Sequence, residues 1–256
     1  FEPWDIKNKT GGDYKVFTPF SKACLERSGE IRPVVTPVSA GKNSYAGTPR
    51  LSGPIDALNL MPQIRWYEGM AAEWQPGAAG AAKRLEGFME SGGVGNYKAQ
   101  RDFPAIDGVS RLSPHLHFGE ISPHHIWHSV SRAIAQNPKD VSFANQAQGF
   151  LRQLIWREFS YHLLYHAPDF PDQPWNKQFA RFPWQRDEVL LEKWKRGKTG
   201  YPIIDAGMRQ LWQTGWMHNR VRMIVGSFLV KNLLLHWRDG EDWFWDSLVD
   251  ADLGNN

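Results

Sequence analysis

Residues 142–166 read SFANQAQGFLRQLIWREFSYHLLYH, twenty-five residues without an internal proline or a turn signal, closed by Pro168. Leu151, Leu154, Ile155 and Phe159 recur at helical offsets and define an apolar side. Phe150, Gln153, Trp156 and Arg157 are spaced by three and four and read as a second face. A helix of this length is the spine of an α-helical body. A tryptophan beside an arginine and a glutamine can stack a flat group and hydrogen-bond its edge, as a site for an aromatic ring or nucleobase requires. An ordinary core helix with a wetted polar side accounts for the same residues equally well.

Working outward, the texture stays helical from residue 77 onward. AAGAAKRLEGFMES carries Leu85, Phe88 and Met89 at helical spacing. SPHHIWHSVSRAIAQ places Ser122 as an N-cap and Pro123 at the first helical position. Residues 202–213, 218–235 and 241–249 supply three more helices, punctuated by Tyr201-Pro202, Gly215 and Gly240. Strand-like alternation is almost absent, and no fixed-period repeat is present. The fold class is therefore mainly α. Upstream, Pro33, Pro37, Gly41, Gly47, Pro49, Gly53 and Pro54 interrupt every periodic segment, which predicts a loosely organised linker. The opening FEPWDIKNKT reads like mid-domain sequence, so the chain is expected to be a piece of a longer protein.

The totals narrow the function. A chain of 256 residues with about two-fifths apolar content has enough material for a sizeable core. The formal charge of +3 neither demands nor excludes nucleic acid. With Cys24 the sole cysteine, a disulfide framework is excluded and a cysteine-based zinc site disfavoured. No apolar run reaches membrane-spanning length, and no basic-then-apolar leader opens the chain. A soluble cytoplasmic protein is the expectation. The outlier is tryptophan, 13 in all.

Three segments stand out against that background. TGWMHNRVRM, residues 214–223, is aromatic and cationic at once. In a helix from His218, Asn219 and Met223 lie four apart with Arg222 between them, and Arg220 projects elsewhere toward a rim. A buried Arg222 needs a carboxylate partner, for which Asp250 and Asp252 in VDADLGNN are the choices. RLSPHLHFGEISP, residues 111–123, offers with Ser110 the hydroxyls of Ser110 and Ser113 and the Arg111 guanidinium, a set suited to a phosphate. Histidines 115, 117, 124, 125 and 128 invite a metal reading. Only His124 and His128 have helical spacing, though, and only Glu120 is a nearby acid, so no metal is expected. The tryptophans of the last third are mostly bulky packing.

Taken in order, RLSPHLHFGEISP, QLIWREF, GKTGYPIIDAGMRQLWQTGWMHNRVRM and DADLGNN, with YKVFTPF upstream, closely resemble the photolyase/cryptochrome family. More narrowly they are similar to the microbial class I cyclobutane pyrimidine dimer photolyases. The match runs continuously over residues 97–256. The resemblance implies an all-helical FAD-binding domain at 77–256, preceded by an interdomain linker at 16–76 and the end of an α/β antenna domain at 1–15. It implies one non-covalent FAD, a possible second antenna chromophore in the whole protein, and UV-damaged DNA as partner, with no metal, no membrane and a monomeric state. The activity implied is light-driven splitting of a flipped-out pyrimidine dimer by an electron from reduced, excited flavin.

Carried over position by position, Tyr97, Ser110, Arg111, Leu112, Ser113, Phe150, Arg157, Trp216, Asn219, Arg222, Asp250, Asp252 and Asn256 form the FAD cavity, Asn256 facing the flavin N5. Gln153, Trp156, Asn219, Met223 and Asn256 serve the chemistry. Arg101, Gln153, Trp156 and Arg220 meet the DNA, with Trp156 stacking on the dimer. Trp184 and Trp237 match the outer members of an electron relay. One departure is Gln153, where class I dimer photolyases usually carry a glutamate. Glutamine occurs there in (6-4) photolyases and animal cryptochromes, yet Asn219 and Met223 stand where the (6-4) group has histidines. The alternative is a cryptochrome-type FAD photoreceptor without repair activity.

Overall fold

The computed structural model describes residues 1–35 and 53–255. Pro37, Gly41, Gly47 and Pro49 of the expected linker, and Asn256, lie outside the described residues. The chain folds into helices α1 (Phe17–Glu26), α2 (Glu68–Glu73), α3 (Ala78–Glu90), α4 (Tyr97–Gln100), α5 (Ser113–His117) and α6 (Pro123–Gln136). They are followed by α7 (Val141–His166), α8 (Glu188–Lys195), α9 (Pro202–Thr214), α10 (Asn219–Ser227) and α11 (Trp237–Ser247). Among the described residues the nearest approach to a sheet is one isolated parallel bridge, Gln185 to Leu235.

Local signals explain most helix ends. Ser122 accepts a hydrogen bond from the His125 amide at 3.1 Å, and Pro123 fills the first position of α6. Asp140 caps α7 through the Phe143 amide at 2.8 Å. Gly215 ends α9 in the left-handed region at φ +67°, where a side chain would be strained. Two expectations shift. The segment expected as one helix over 218–235 is α-helical only to Ser227, then widens into a π turn at Phe228–Asn232 and stops at Leu234, φ +56°. The last helix starts at Trp237 rather than 241, because the His236 ring accepts from the Arg238 amide at 3.2 Å, a cap that histidine rarely signals.

Three apolar cores flank α7 and α9. Leu85, Phe88, Val94, Leu112 and Ile126 pack on Phe150, Leu151 and Leu154. Trp194, Met208, Leu211, Val221, Val225 and Leu229 form a second core. Trp194 is fully buried there, its indole N–H donating to the Val225 carbonyl at 3.0 Å. The third core shows that the segment expected as a linker, 16–76, opens with a packed helix: Ile6, Phe17, Phe20 and Cys24 seat α1 on Ile155 and Phe159. Helices α9 and α10 cross closely at Gly207, where a Cβ would stand 2.4 Å from Val221. That approach sets the position of everything α10 carries. As for membranes, among the described residues no helix is long and apolar enough to cross one.

Asp205 ties the loop before α9 to its first turn. Its carboxylate accepts from the Thr199 amide at 2.7 Å, the Thr199 hydroxyl at 2.6 Å and the Gly200 amide at 3.0 Å. Burial alone pushes this carboxyl up, but those donors overcome it and hold it below the ordinary carboxylate value. A depressed folded-state value stabilises the protein above the ordinary carboxylate range, and that contribution disappears as pH falls through the folded value. Asp205→Ala is expected to cost about 2 kcal/mol, since three donors lose their acceptor. Thermal melts from pH 7 down to pH 3 should show a flatter acid limb for the variant than for the parent; parallel limbs would refute it.

Candidate functional site: a polar cavity between α5, α7, α10 and the C-terminal loop

One cavity of about 1180 Å³, counting its open mouth, gathers side chains from four separate stretches of chain. The first supplies Tyr97, Arg101, Ser110, Arg111, Leu112 and Ser113. Helix α7 supplies Phe150, Gln153 and Arg157, and α10 with its approach supplies Trp216, Asn219 and Arg222. The C-terminal loop contributes Asp250, Asp252 and Asn255.

At the floor, Arg222 Nη2 donates to both Asp250 oxygens at 3.0 and 2.8 Å, and its Nε donates to the Met217 carbonyl at 2.8 Å. Asp250 is buried and the Arg222 side chain nearly so, so each charge needs the other. Asp252 takes a different partner, the Tyr161 hydroxyl, and its Oδ1 also organises the loop through the Gly254 and Asn255 amides, both at 2.9 Å. Burial, and then the carboxylate beside it, push the Tyr161 hydroxyl up to about 12, so it stays protonated and donates. Arg157 lies over the Tyr161 ring at 4.6 Å and reaches Glu158 at 3.1 Å.

At the opposite wall Arg111 adopts φ +50°, uncommon for a residue with a side chain. Its guanidinium lies 4.9 Å from the Trp216 ring centre and its Nη1 donates to Glu73 at 2.7 Å. Its buried Nε has no hydrogen-bond acceptor, the Asp107 carboxylate standing 3.6 Å away. Tyr97 is buried against Phe150 with Arg101 over its ring at 5.3 Å, and burial raises its hydroxyl above the ordinary value.

Several expected residues stand apart from this cavity. Trp156 does not share the face of Phe150, Gln153 and Arg157. A helix turns about 100° per residue, which carries Trp156 round toward α1, where it stacks on Phe17. Met223 is exposed and does not line the cavity; its sulfur meets Arg220 at 3.5 Å. Arg220 sits on the exposed rim, paired with Asp102 at 2.6 Å, and the guanidinium holds that carboxyl below its usual range. Trp184 and Trp237 do not line the cavity; they are joined through His236 at ring distances of 5.3 and 5.4 Å. Among the histidines, His115 is buried against Glu120 at 2.5 Å and His128 meets the Arg32 carbonyl at 2.8 Å. The sequence passed over Tyr161, Met217 and Asn255. Asn255 was adjacent to the expected Asn256, and Tyr161 lay four residues beyond Arg157 on the same helix face.

Residues 150–256 match the family model for the FAD binding domain of DNA photolyase. The chain is 46% identical, over its whole length and 52% of the relative's, to a deoxyribodipyrimidine photo-lyase of Agrobacterium fabrum. It is 36% identical, over 99% of its length and 42% of the relative's, to Cryptochrome-2 of Arabidopsis thaliana. Its fold superposes with a TM-score of 0.86 on a bacterial class III photolyase from Agrobacterium tumefaciens, 43% identical over 99% of this chain and 51% of that one. The fold and cavity define a photolyase-type helical FAD-binding domain. The chain belongs to the photolyase/cryptochrome family, and it spans about half the length of the relatives it matches.

The Arg222–Asp250 pair gives the sharpest test of how the cavity floor is held. Asp250→Asn removes the carboxylate that accepts both hydrogen bonds of Arg222 Nη2 and is expected to cost about 3 kcal/mol of stability. Urea unfolding of the full-length protein would measure it; a loss below about 1 kcal/mol, the range of surface pairs, would contradict the assignment.

Proposed function

We propose that this chain is the cofactor- and lesion-binding half of an enzyme that splits cyclobutane pyrimidine dimers in UV-damaged DNA under light, using one non-covalently bound FAD. In this reading residues 77–256 form the binding domain, 16–76 connect it, with α1 as a docked station, and 1–15 end an α/β antenna domain. The protein works as a cytoplasmic monomer without a metal, and a second chromophore in its other half is compatible with it. The observation that carries the reading is the convergence of four distant segments on one cavity with flat walls, hydroxyls and a buried charge pair.

The residues present fit FAD. Arg111 retains an unused buried donor beside the Ser110 and Ser113 hydroxyls, suited to phosphate oxygens. Trp216 and Phe150 offer flat apolar contact, and the Arg222–Asp250 pair with Asn219 and Asn255 offers donors and acceptors to a ring edge. When bound and reduced, the flavin supplies the electron that opens the dimer on illumination. The protein's share is to bind, orient and exclude water. Trp184 and Trp237 are proposed as outer electron-relay residues, Arg101 and Arg220 as phosphate contacts at the rim.

Gln153 is the residue that bears on mechanism. Its amide donates back to the Gly149 carbonyl at 3.0 Å within α7, which leaves its Oε1 for a guest. A glutamate could not make that donation when ionised and would turn toward the cavity. Gln153→Glu is therefore expected to raise the repair yield per absorbed photon; an equal or lower yield would refute this.

The reading as a whole is tested with the full-length reduced protein under blue light, on an oligonucleotide containing one cyclobutane thymine dimer, beside a dark control and a (6-4) lesion. Light-dependent repair of the dimer alone supports it. Flavin binding without repair of either lesion supports the cryptochrome alternative, which Gln153 favours and Asn219, Met223 and Trp156 oppose.

A further inference from the structure

In the middle of α7 Trp156 is left half in solvent, 43% exposed, while its neighbours Ile155 and Phe159 are buried; Tyr165, near the helix end, is exposed as well. One face of its indole is not free. The Phe17 ring lies parallel to it, centroids 3.4 Å apart and planes 6° from coplanar. Arg152, one helical turn earlier on α7, places its guanidinium 5.1 Å from the centre of the same phenyl ring. Phe17 is thus gripped between two side chains at i and i+4, and Phe159 meets both Phe17 and Trp156 edge-on, at 5.7 and 6.0 Å.

The grip has a cause in the fold. Phe17 is the first residue of α1, and Phe20 and Cys24 behind it anchor that helix in the third core. The phenyl ring, itself 5% exposed, is delivered by a rigid element. An indole held on one face by a buried ring and at its edge by another has little rotamer freedom left, although almost half its surface meets water. Such a surface is a preorganised platform: a base stacking on it need not first order it.

Its position gives the platform a ligand. Trp156 lies outside the cavity but, three residues beyond Gln153, only about 60° round the helix from that part of its wall, and Arg220 shares Asp102 with Arg101 of the cavity lining. A flat, unpaired pyrimidine with its phosphate on the cationic rim matches that combination.

We propose that Phe17 is a positioning residue for damaged-DNA recognition, which locks the Trp156 indole flat so that a flipped pyrimidine stacks on its exposed face. The proposal rests on the reading of the protein as acting on dimer-containing DNA. It assigns a lesion-recognition role to a helix that lies outside the residues 77–256 expected to contact DNA.

The test is dark binding by the full-length protein, followed by fluorescence anisotropy, to a single-stranded oligonucleotide with one thymine dimer and to its undamaged counterpart. Phe17→Leu is expected to reduce the preference for the dimer about tenfold, the scale of one base–aromatic stack, while Phe17→Tyr retains it. In a Trp156→Leu background the same Phe17→Leu change should have no further effect, since the residue it positions is gone. Three outcomes overturn the proposal: unchanged preference in Phe17→Leu, an undiminished effect in the Trp156→Leu background, or tighter dimer binding that would show Phe17 occupying the base's place. If the parent protein itself shows no preference for the dimer, the functional reading fails, and this inference with it.

Discussion

The molecule depends on α7 serving three neighbours at once. Its buried side joins Leu151 and Leu154 to the core of α3 and α6. A second sector, Ile155 and Phe159, receives α1. A third, Phe150, Gln153 and Arg157, is the wall of the cavity. Because every residue on one helix is fixed relative to every other by the same backbone hydrogen bonds, the cavity wall cannot move without disturbing two cores. That rigidity is what a binding site made of side chains from distant segments requires.

The opposite wall is built by contrasting means. Arg222 and Asp250 join α10 to the C-terminal loop through a shielded charge pair, and Asp252 shapes that loop through its backbone amides. Helix α10 can reach this position because Gly207 lets it settle onto α9. So one wall is held by apolar packing and the other by paired charge. An apolar wall offers stacking surface; a paired-charge wall keeps polar groups inside the protein at a tolerable desolvation cost and leaves them aimed at a guest.

Charge at the rim follows the same economy. The net charge of +3 is small, and several rim or wall arginines already hold a carboxylate: Arg220 with Asp102, Arg111 with Glu73. Local pairing keeps single guanidinium groups oriented rather than creating a broadly cationic face. On the proposed reading of a DNA-binding rim, affinity for a phosphate backbone then depends on exchange of partners at a few positions, and geometry rather than total charge governs selectivity.

What the sequence determined by itself was the helical body and most membership of the cavity. Helices α3, α6, α7 and α9 carry their periodicity, caps and terminators within the segment, so local physics suffices to find them. The cavity residues from Tyr97 to Asp252 were reachable through motif resemblance, because chemistry restricts which side chains can stand at those places. Tertiary structure alone decided three things. It showed α1 docked on α7, since Phe17, Phe20 and Cys24 find their burial in a partner more than a hundred residues away. It separated Trp156 from the cavity face and gave it Phe17, because the difference between adjacent helix sectors is a matter of which neighbour arrives. It chose Asp250 over Asp252 as the partner of Arg222, and Tyr161 for Asp252. Two carboxylates two residues apart are equivalent in sequence, and only the path of the loop distinguishes the directions in which they point.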